Sequence, residues 1–143
     1  MSVGPLGGRF ENVRRIAVLR GGGLGDLIFV LPAIEALAHA YPEAHITLLG
    51  TPMHHALLSG RPGPVHEVVE LPVVPGVRDV RGQVEDPDAT ERFTERMRVS
   101  RFDLAVQLHG GGRYSNPFLL RLGARHTIGM QTPDAVELER GMA

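Results

Sequence analysis

The stretch "LRGGGLGDLIFVLP", Leu19 to Pro32, places one carboxylate directly after a glycine-rich loop. An acid there has two uses. Asp26 can start a helix, where the dipole favours an anion by ~0.3–1 kcal/mol. It can also take a proton from a substrate hydroxyl held beside the loop. The two conflict in part, because a carboxylate helped by backbone amides has a lowered pKa and is a weaker base. They do not exclude each other, since a helix start can hold a carboxylate rigidly in a cleft. A second glycine loop, "HGGGR", His109 to Arg113, adds an imidazole and a guanidinium.

A dinucleotide site is disfavoured. The G-x-G-x-x-G pattern would need glycine where Asp26 stands, and a carboxylate at that helix end repels a pyrophosphate. The acid expected after the second strand is missing from "LLGTP". All 15 basic residues are Arg, so P-loop, Schiff-base and general-base lysines are excluded. With no Cys and no His/Asp/Glu set at zinc-ligand spacing, neither a metal nor any other cofactor is expected. The net charge of −1 and the lack of a basic tract disfavour nucleic acid.

These loops need a frame. Apolar runs at Ile16–Leu19, 45–50, 65–71, 102–108 and 125–130 read as five strands. Helices read over 24–40, 51–58, 88–99 (with Asp88 as cap) and 114–122. Pro32 either kinks the first helix or begins its regular part. Continuous apolar strands alternating with helices predict an α/β fold, a Rossmann-like doubly wound parallel sheet of order near 3-2-1-4-5. Ligands bind such sheets beyond the strand ends at the switch point, between strands one and four. Both glycine loops follow those two strands.

Residues 1–12 read as a flexible N-terminus, 13–131 as one domain, and 132–143 as a tail or truncated linker. No apolar run is long enough to span a bilayer and no signal peptide is evident, so a soluble cytoplasmic protein is the default. Among the remaining polar residues, Asp103 reads as structural and 86–101 as a solvated helix. His54 and His55, being adjacent, point in different directions.

Two blocks carry a resemblance. "RIAVLRGGGLGDLIFVLPAIEALAHAYPEAHITLLGTP" resembles the opening of the ADP-heptose:lipopolysaccharide heptosyltransferases, glycosyltransferase family nine, at Arg20, Gly25, Asp26, Pro32 and Pro42. "FDLAVQLHGGGRYSNPFLLRLGARHTIGM" resembles their second block at Gly110, Arg113, Gly123, Ala124, Arg125, Ile128 and Gly129. The resemblance implies the N-terminal, acceptor-side half of a GT-B glycosyltransferase, which acts on cell-envelope polysaccharide by inverting transfer without a metal. Asp26 would be the base. Gly23, Leu24, Gly25, His109, Gly110 and Arg113 would bind substrate. The partners implied are a nucleotide-sugar donor, held by a missing C-terminal domain, and a glycan or glycolipid acceptor. Peripheral membrane association of the full enzyme follows. An isolated half is not expected to turn over.

The sequence departs from the family where His109 replaces Gln and Tyr114 replaces Ser or Thr, so the acceptor's identity is not carried over. Two other classes stand beside this reading. One is a non-catalytic sugar- or anion-binding module, freestanding or paired with a separate C-terminal chain. The other is a nucleotide-binding α/β domain of another class.

Overall fold

The structure is a computed structural model and describes residues 9–130 and 132–142. Its elements run β1 (Arg15–Leu19), α1 (Leu24–Ala40), β2 (His45–Gly50), α2 (Pro52–Leu58), β3 (Glu67–Glu70), α3 (Pro87–Ser100), β4 (Leu104–Gln107), α4 (Ser115–Leu120), β5 (His126–Met130) and β6 (Arg140–Met142). The strands form one sheet of order β3-β2-β1-β4-β5-β6. Every pairing is parallel. The expected order is present, with one strand more.

Period-two alternation sorts the strands between two apolar layers. Ile16 and Val18 of β1, Ile46 and Leu48 of β2, and Leu104 and Val106 of β4 face Leu27, Val30, Ile34 and Leu37 of α1. Ala17, Leu19, Leu49 and Ala105 point the other way, toward Phe93 and Met97 of α3 and Phe118 and Leu119 of α4. Both faces are covered, which is why the strands are apolar throughout rather than alternating with polar residues.

The ends of the elements bring corrections. The segment read as a tail carries β6, whose Gly141 pairs with Gly129 of β5. The N-terminal segment lies partly outside the described residues. Within them Arg9 donates to the Ala40 carbonyl at 2.8 Å, and the Phe10 ring stacks on His126 at 4.1 Å. Helix α3 begins earlier than expected. Pro87 takes its first turn and Asp86, not Asp88, is the cap, accepting from the Asp88 N–H at 3.0 Å. Helix α1 runs unbroken through Pro32. Ile28 and Pro32 both lie on its exposed side, so water can reach the Ile28 carbonyl that proline leaves without a donor.

Asp103, just before β4, ties three parts of the chain together. Its carboxylate accepts from the Arg14 and Arg15 N–H groups at 2.8 and 3.0 Å and from Arg125 at 3.1 Å. Partial burial pushes this carboxyl up, and the two amides and the guanidinium outweigh that and hold it below its ordinary value.

Candidate functional site

Strand β1 ends at Leu19, and Arg20 to Gly23 turn the chain into α1. Gly23 is the N-cap, so Asp26 occupies the third helical position. Its Oδ2 reaches back to accept from the Gly23 N–H at 2.8 Å, the carboxylate half of a capping box. Its Oδ1 lies 2.5 Å from the Arg20 guanidinium. The Gly23 amide, then Arg20, hold the Asp26 carboxyl below its ordinary value. Gly22 sits at φ +87°, and a Cβ there would collide with the Asp26 carboxylate. Glycine is therefore required one residue before the cap for two separate reasons.

Arg20 links the two glycine loops. Its Nη1 donates to the Leu108 carbonyl at 3.0 Å while its Nη2 pairs with Asp26. Its Nε is buried with no hydrogen-bond partner among the described residues. His109 links the loops a second time. The Gly21 N–H donates to His109 Nδ1 at 3.1 Å, which leaves the proton on Nε2, 3.2 Å from the Gly76 carbonyl that accepts it. Burial, and then the Arg20 charge, push this imidazole below its ordinary value. Both ring nitrogens are thus committed within the protein.

Two groups that were not among the expected site residues support the loops. Gln107, the last residue of β4, is fully buried. Its amide donates to Asn116 Oδ1 at 2.9 Å and to the Met130 carbonyl at 2.8 Å, and its Oε1 accepts from the His109 N–H. His54, in α2, is also fully buried. Its Nδ1 accepts from the Thr51 N–H at 3.3 Å, and its Nε2 lies 3.4 Å from the Gly23 carbonyl. The signals were present as an amide closing an apolar strand and a histidine near the start of a helix at the sheet's ligand-binding edge. His55, its neighbour, faces outward and pairs with Glu70 at 2.9 Å.

A cleft of about 760 Å³ opens where β1 and β4 diverge. Arg20, Gly25, Asp26, Phe29, Val30, Ala33, Leu108, Gly110, Gly111 and Met130 line it. The cleft therefore gathers Asp26, Gly25 and Gly110 from the expected site. Its walls are mostly apolar and its polar end is the Arg20–Asp26 pair. Phe29 is 87 % exposed at its rim. A separate groove of about 470 Å³ lies on the other side of the loop, between Gly22, His109, Thr51 and Val77–Val80. Gly23 and Leu24 line neither. Arg113 lines neither as well: its guanidinium sits 5.3 Å from the Tyr114 ring and makes no salt bridge among the described residues. Among those residues no cluster of three or more His, Asp or Glu is arranged to hold a metal ion. No helix among them is long and apolar enough to cross a membrane.

No protein-family model matches the chain, and no curated protein does. Solved structures do. Escherichia coli heptosyltransferase WaaC with ADP superposes with a TM-score of 0.65 at 18 % identity, over 90 % of this chain and 41 % of that one. WaaC with ADP-2-deoxy-2-fluoro heptose gives 0.61 at 18 % identity, over 81 % and 36 %. Escherichia coli ADP-heptose lps heptosyltransferase II gives 0.60 at 20 % identity, over 81 % and 30 %. The α/β fold is shared with these enzymes, and the chain spans less than half the length of each.

Proposed function

We propose that this chain is the acceptor-side domain of a GT-B glycosyltransferase of the heptosyltransferase type, with Asp26 as the base. One observation carries the reading. A half-exposed carboxylate, fixed at the start of α1 by Gly23 and Arg20, opens into the cleft at the sheet's switch point. That is where a ligand of such a sheet is expected.

In the reaction, the acceptor oxygen attacks the anomeric carbon of the donor sugar. The nucleoside diphosphate leaves from the opposite face, and Asp26 receives the hydroxyl proton. The lowered pKa of Asp26 is compatible with this. The hydroxyl becomes acidic as its oxygen bonds to carbon, so a weak base suffices if the proton leaves late. Positioning then matters more than base strength. Gly25 and Gly110 leave room for a sugar at the cleft wall. Gly23 and Leu24 fix the helix start, His109 braces the loop, and the Arg113 guanidinium, which feels Asp134 without a direct salt bridge among the described residues, suits an anionic group on either substrate. The donor, a nucleotide sugar like those named with the similar structures, would be held by a second domain. The acceptor would be a glycan or glycolipid, reached from the cytoplasm by a soluble or peripherally membrane-bound enzyme.

A non-catalytic sugar- or anion-binding module remains the second reading. It is favoured by the fact that both Asp26 oxygens already have partners.

The test is an NMR titration of the chain with a panel of neutral and phosphorylated oligosaccharides and, separately, with ADP. Glycan-dependent shifts at residues 20–26 and 108–111, with no saturable ADP effect, are expected. Tight ADP binding at those residues would overturn the acceptor-side assignment in favour of a nucleotide domain. Absence of any glycan effect would remove both readings. Joining the chain to a donor domain separates catalysis from binding: Asp26→Asn abolishes transfer in the first reading and changes nothing measurable in the second.

A further inference from the structure

The Asp26 carboxylate depends on the orientation of the Gly22–Gly23 peptide, which supplies its backbone partner, the Gly23 N–H. That orientation is not set by the glycine loop alone. Gly21 to Gly23 have no side chains with which to hold themselves, and the backbone entropy of glycine works against any fixed shape. Two donors hold the following peptide by the Gly23 carbonyl: the Leu27 N–H at 3.1 Å, the first bond of α1, and His54 from outside the loop.

We infer that His54 is a positioning residue for Asp26, acting through Gly23. The relay has two steps, on two successive peptide groups joined at the Gly23 Cα. His54 Nε2–H donates to the Gly23 carbonyl, and the Gly23 N–H donates to Asp26 Oδ2. Three observations converge on it. First, the tautomer is fixed: the Thr51 N–H donates to Nδ1, so the proton is on Nε2, the nitrogen that faces the Gly23 carbonyl. Second, the ring is fully buried and cannot exchange this partner for water. Third, the space for the ring is built into β2. A Cβ at Gly50 would lie 2.5 Å from His54 Nδ1 and 3.3 Å from the Arg20 carbonyl, so the strand end is pared back to backbone under the imidazole.

The hydrogen bond to Gly23 is long, at 3.4 Å, and its worth lies in direction rather than strength. His54 comes from the first turn of α2, while His109 comes from the β4–α4 connection and holds Gly21. The loop is thus strapped at both ends by neutral imidazoles from opposite sides of β1. Burial first, and the Arg20 charge, press His54 toward its neutral form; the Gly23 carbonyl and Asp26 favour the charged form and lose.

The inference bears on the working geometry of Asp26 and rests on the reading that this carboxylate is the functional group. The experiment reads the carboxylate's titration and not transfer, so failure of one does not imply failure of the other. Asp26 is followed by carbonyl-carbon NMR in wild type, His54→Leu and His54→Gln. Gln can place an amide N–H where Nε2–H stands; Leu cannot. The Asp26 midpoint is expected to rise toward 3.8 in His54→Leu and to return toward the wild-type value in His54→Gln. An unchanged midpoint in folded His54→Leu overturns the proposal. If His54→Leu does not fold, nitrogen-15 spectra of wild type decide. A neutral His54 protonated on Nε2 at pH 7 supports the relay, and a proton on Nδ1 overturns it.

Discussion

The carboxylate of Asp26 and the guanidinium of Arg20 meet at 2.5 Å across the mouth of the switch-point cleft. Arg20 is the more sequestered partner, its side chain 18 % exposed against 46 % for Asp26. The same guanidinium donates to the Leu108 carbonyl. One side chain therefore sets the distance between the helix start after β1 and the loop after β4, and sets a positive charge behind the carboxylate that lines the cleft.

Asp26→Asn separates the cap from the charge. The Asn carbonyl can still accept from the Gly23 N–H, so the helix start persists, while the ion pair with Arg20 is lost. Chemical-denaturation midpoints are expected to move little. In a complete enzyme, transfer is expected to fall by about 10²–10⁴-fold, the usual worth of a positioned proton acceptor. Parallel unfolding and transfer assays check both halves. A large loss of stability with little loss of transfer would make Asp26 a cap and nothing more.

Gly22 and Gly25 lie three residues apart and answer oppositely to alanine. Gly22 has φ +87°, with the Asp26 carboxylate where a Cβ would go. Gly22→Ala is expected to cost about 1–2 kcal/mol from the left-handed backbone alone, and to displace Asp26. Gly25 is in the first turn of α1 with nothing within 4 Å of a built Cβ. Gly25→Ala is expected to stabilise by roughly 0.5–1 kcal/mol. It also narrows the cleft, so glycan affinity should fall as stability rises. Urea unfolding combined with the NMR titration reads the two effects independently.

Acid should unfold the protein in two stages. His54 and His109 are held neutral in the fold, below the ordinary value of 6.5. The unfolded chain protonates them first as pH falls, so their contribution is complete above 6.5 and is lost through the window down to their folded values. Asp103 acts lower. Its folded value lies below 3.8, so its contribution is complete above 3.8 and is lost as pH falls through the folded value. Unfolding free energy measured against pH should show the upper step shrinking in His109→Gln and the lower step in Asp103→Asn. An upper step that survives removal of both histidines would reject this assignment.

The frame of the site was legible in the sequence because its causes are local. Strands buried on both faces are written as apolar runs, and the loops that end β1 and β4 are written in glycine. The order of the first five strands follows from right-handed crossovers once helices must cover both faces of the sheet. What escaped was set by distance. β6 is three residues long and has no apolar pattern of its own; it exists because the edge of β5 offers a ladder. His54 and Gln107 are polar residues inside regular elements, and the partners that tie them to the site, the Gly23 and Met130 carbonyls, lie 31 and 23 residues away. The resemblance makes His109 a substrate ligand, but the Gly76 carbonyl that occupies its Nε2 lies 33 residues away. Asp88 gave way to Asp86 as cap because Pro87 fits the first helical position, where a missing N–H costs nothing.

Gln107→Leu tests whether the second loop has a foundation of its own. The substitution keeps most of the volume and leaves three groups without their partner: the buried Asn116 Oδ1 and the part-buried Met130 carbonyl and His109 N–H. Each unsatisfied buried group costs about 1–3 kcal/mol, though the sum will be smaller where water or a rotated amide gives relief. A loss at the level of several kcal/mol is expected in urea unfolding, large for a single conservative change in volume. Because His109 is braced from Gln107 and in turn braces Gly21, the effect should also cross the sheet. Amide hydrogen exchange at Gly21 is expected to speed up in Gln107→Leu, while exchange at Val18, within β1, tracks only the global loss. Equal acceleration at both positions would mean that the two loops are not coupled through His109, and that the histidine merely fills space between them.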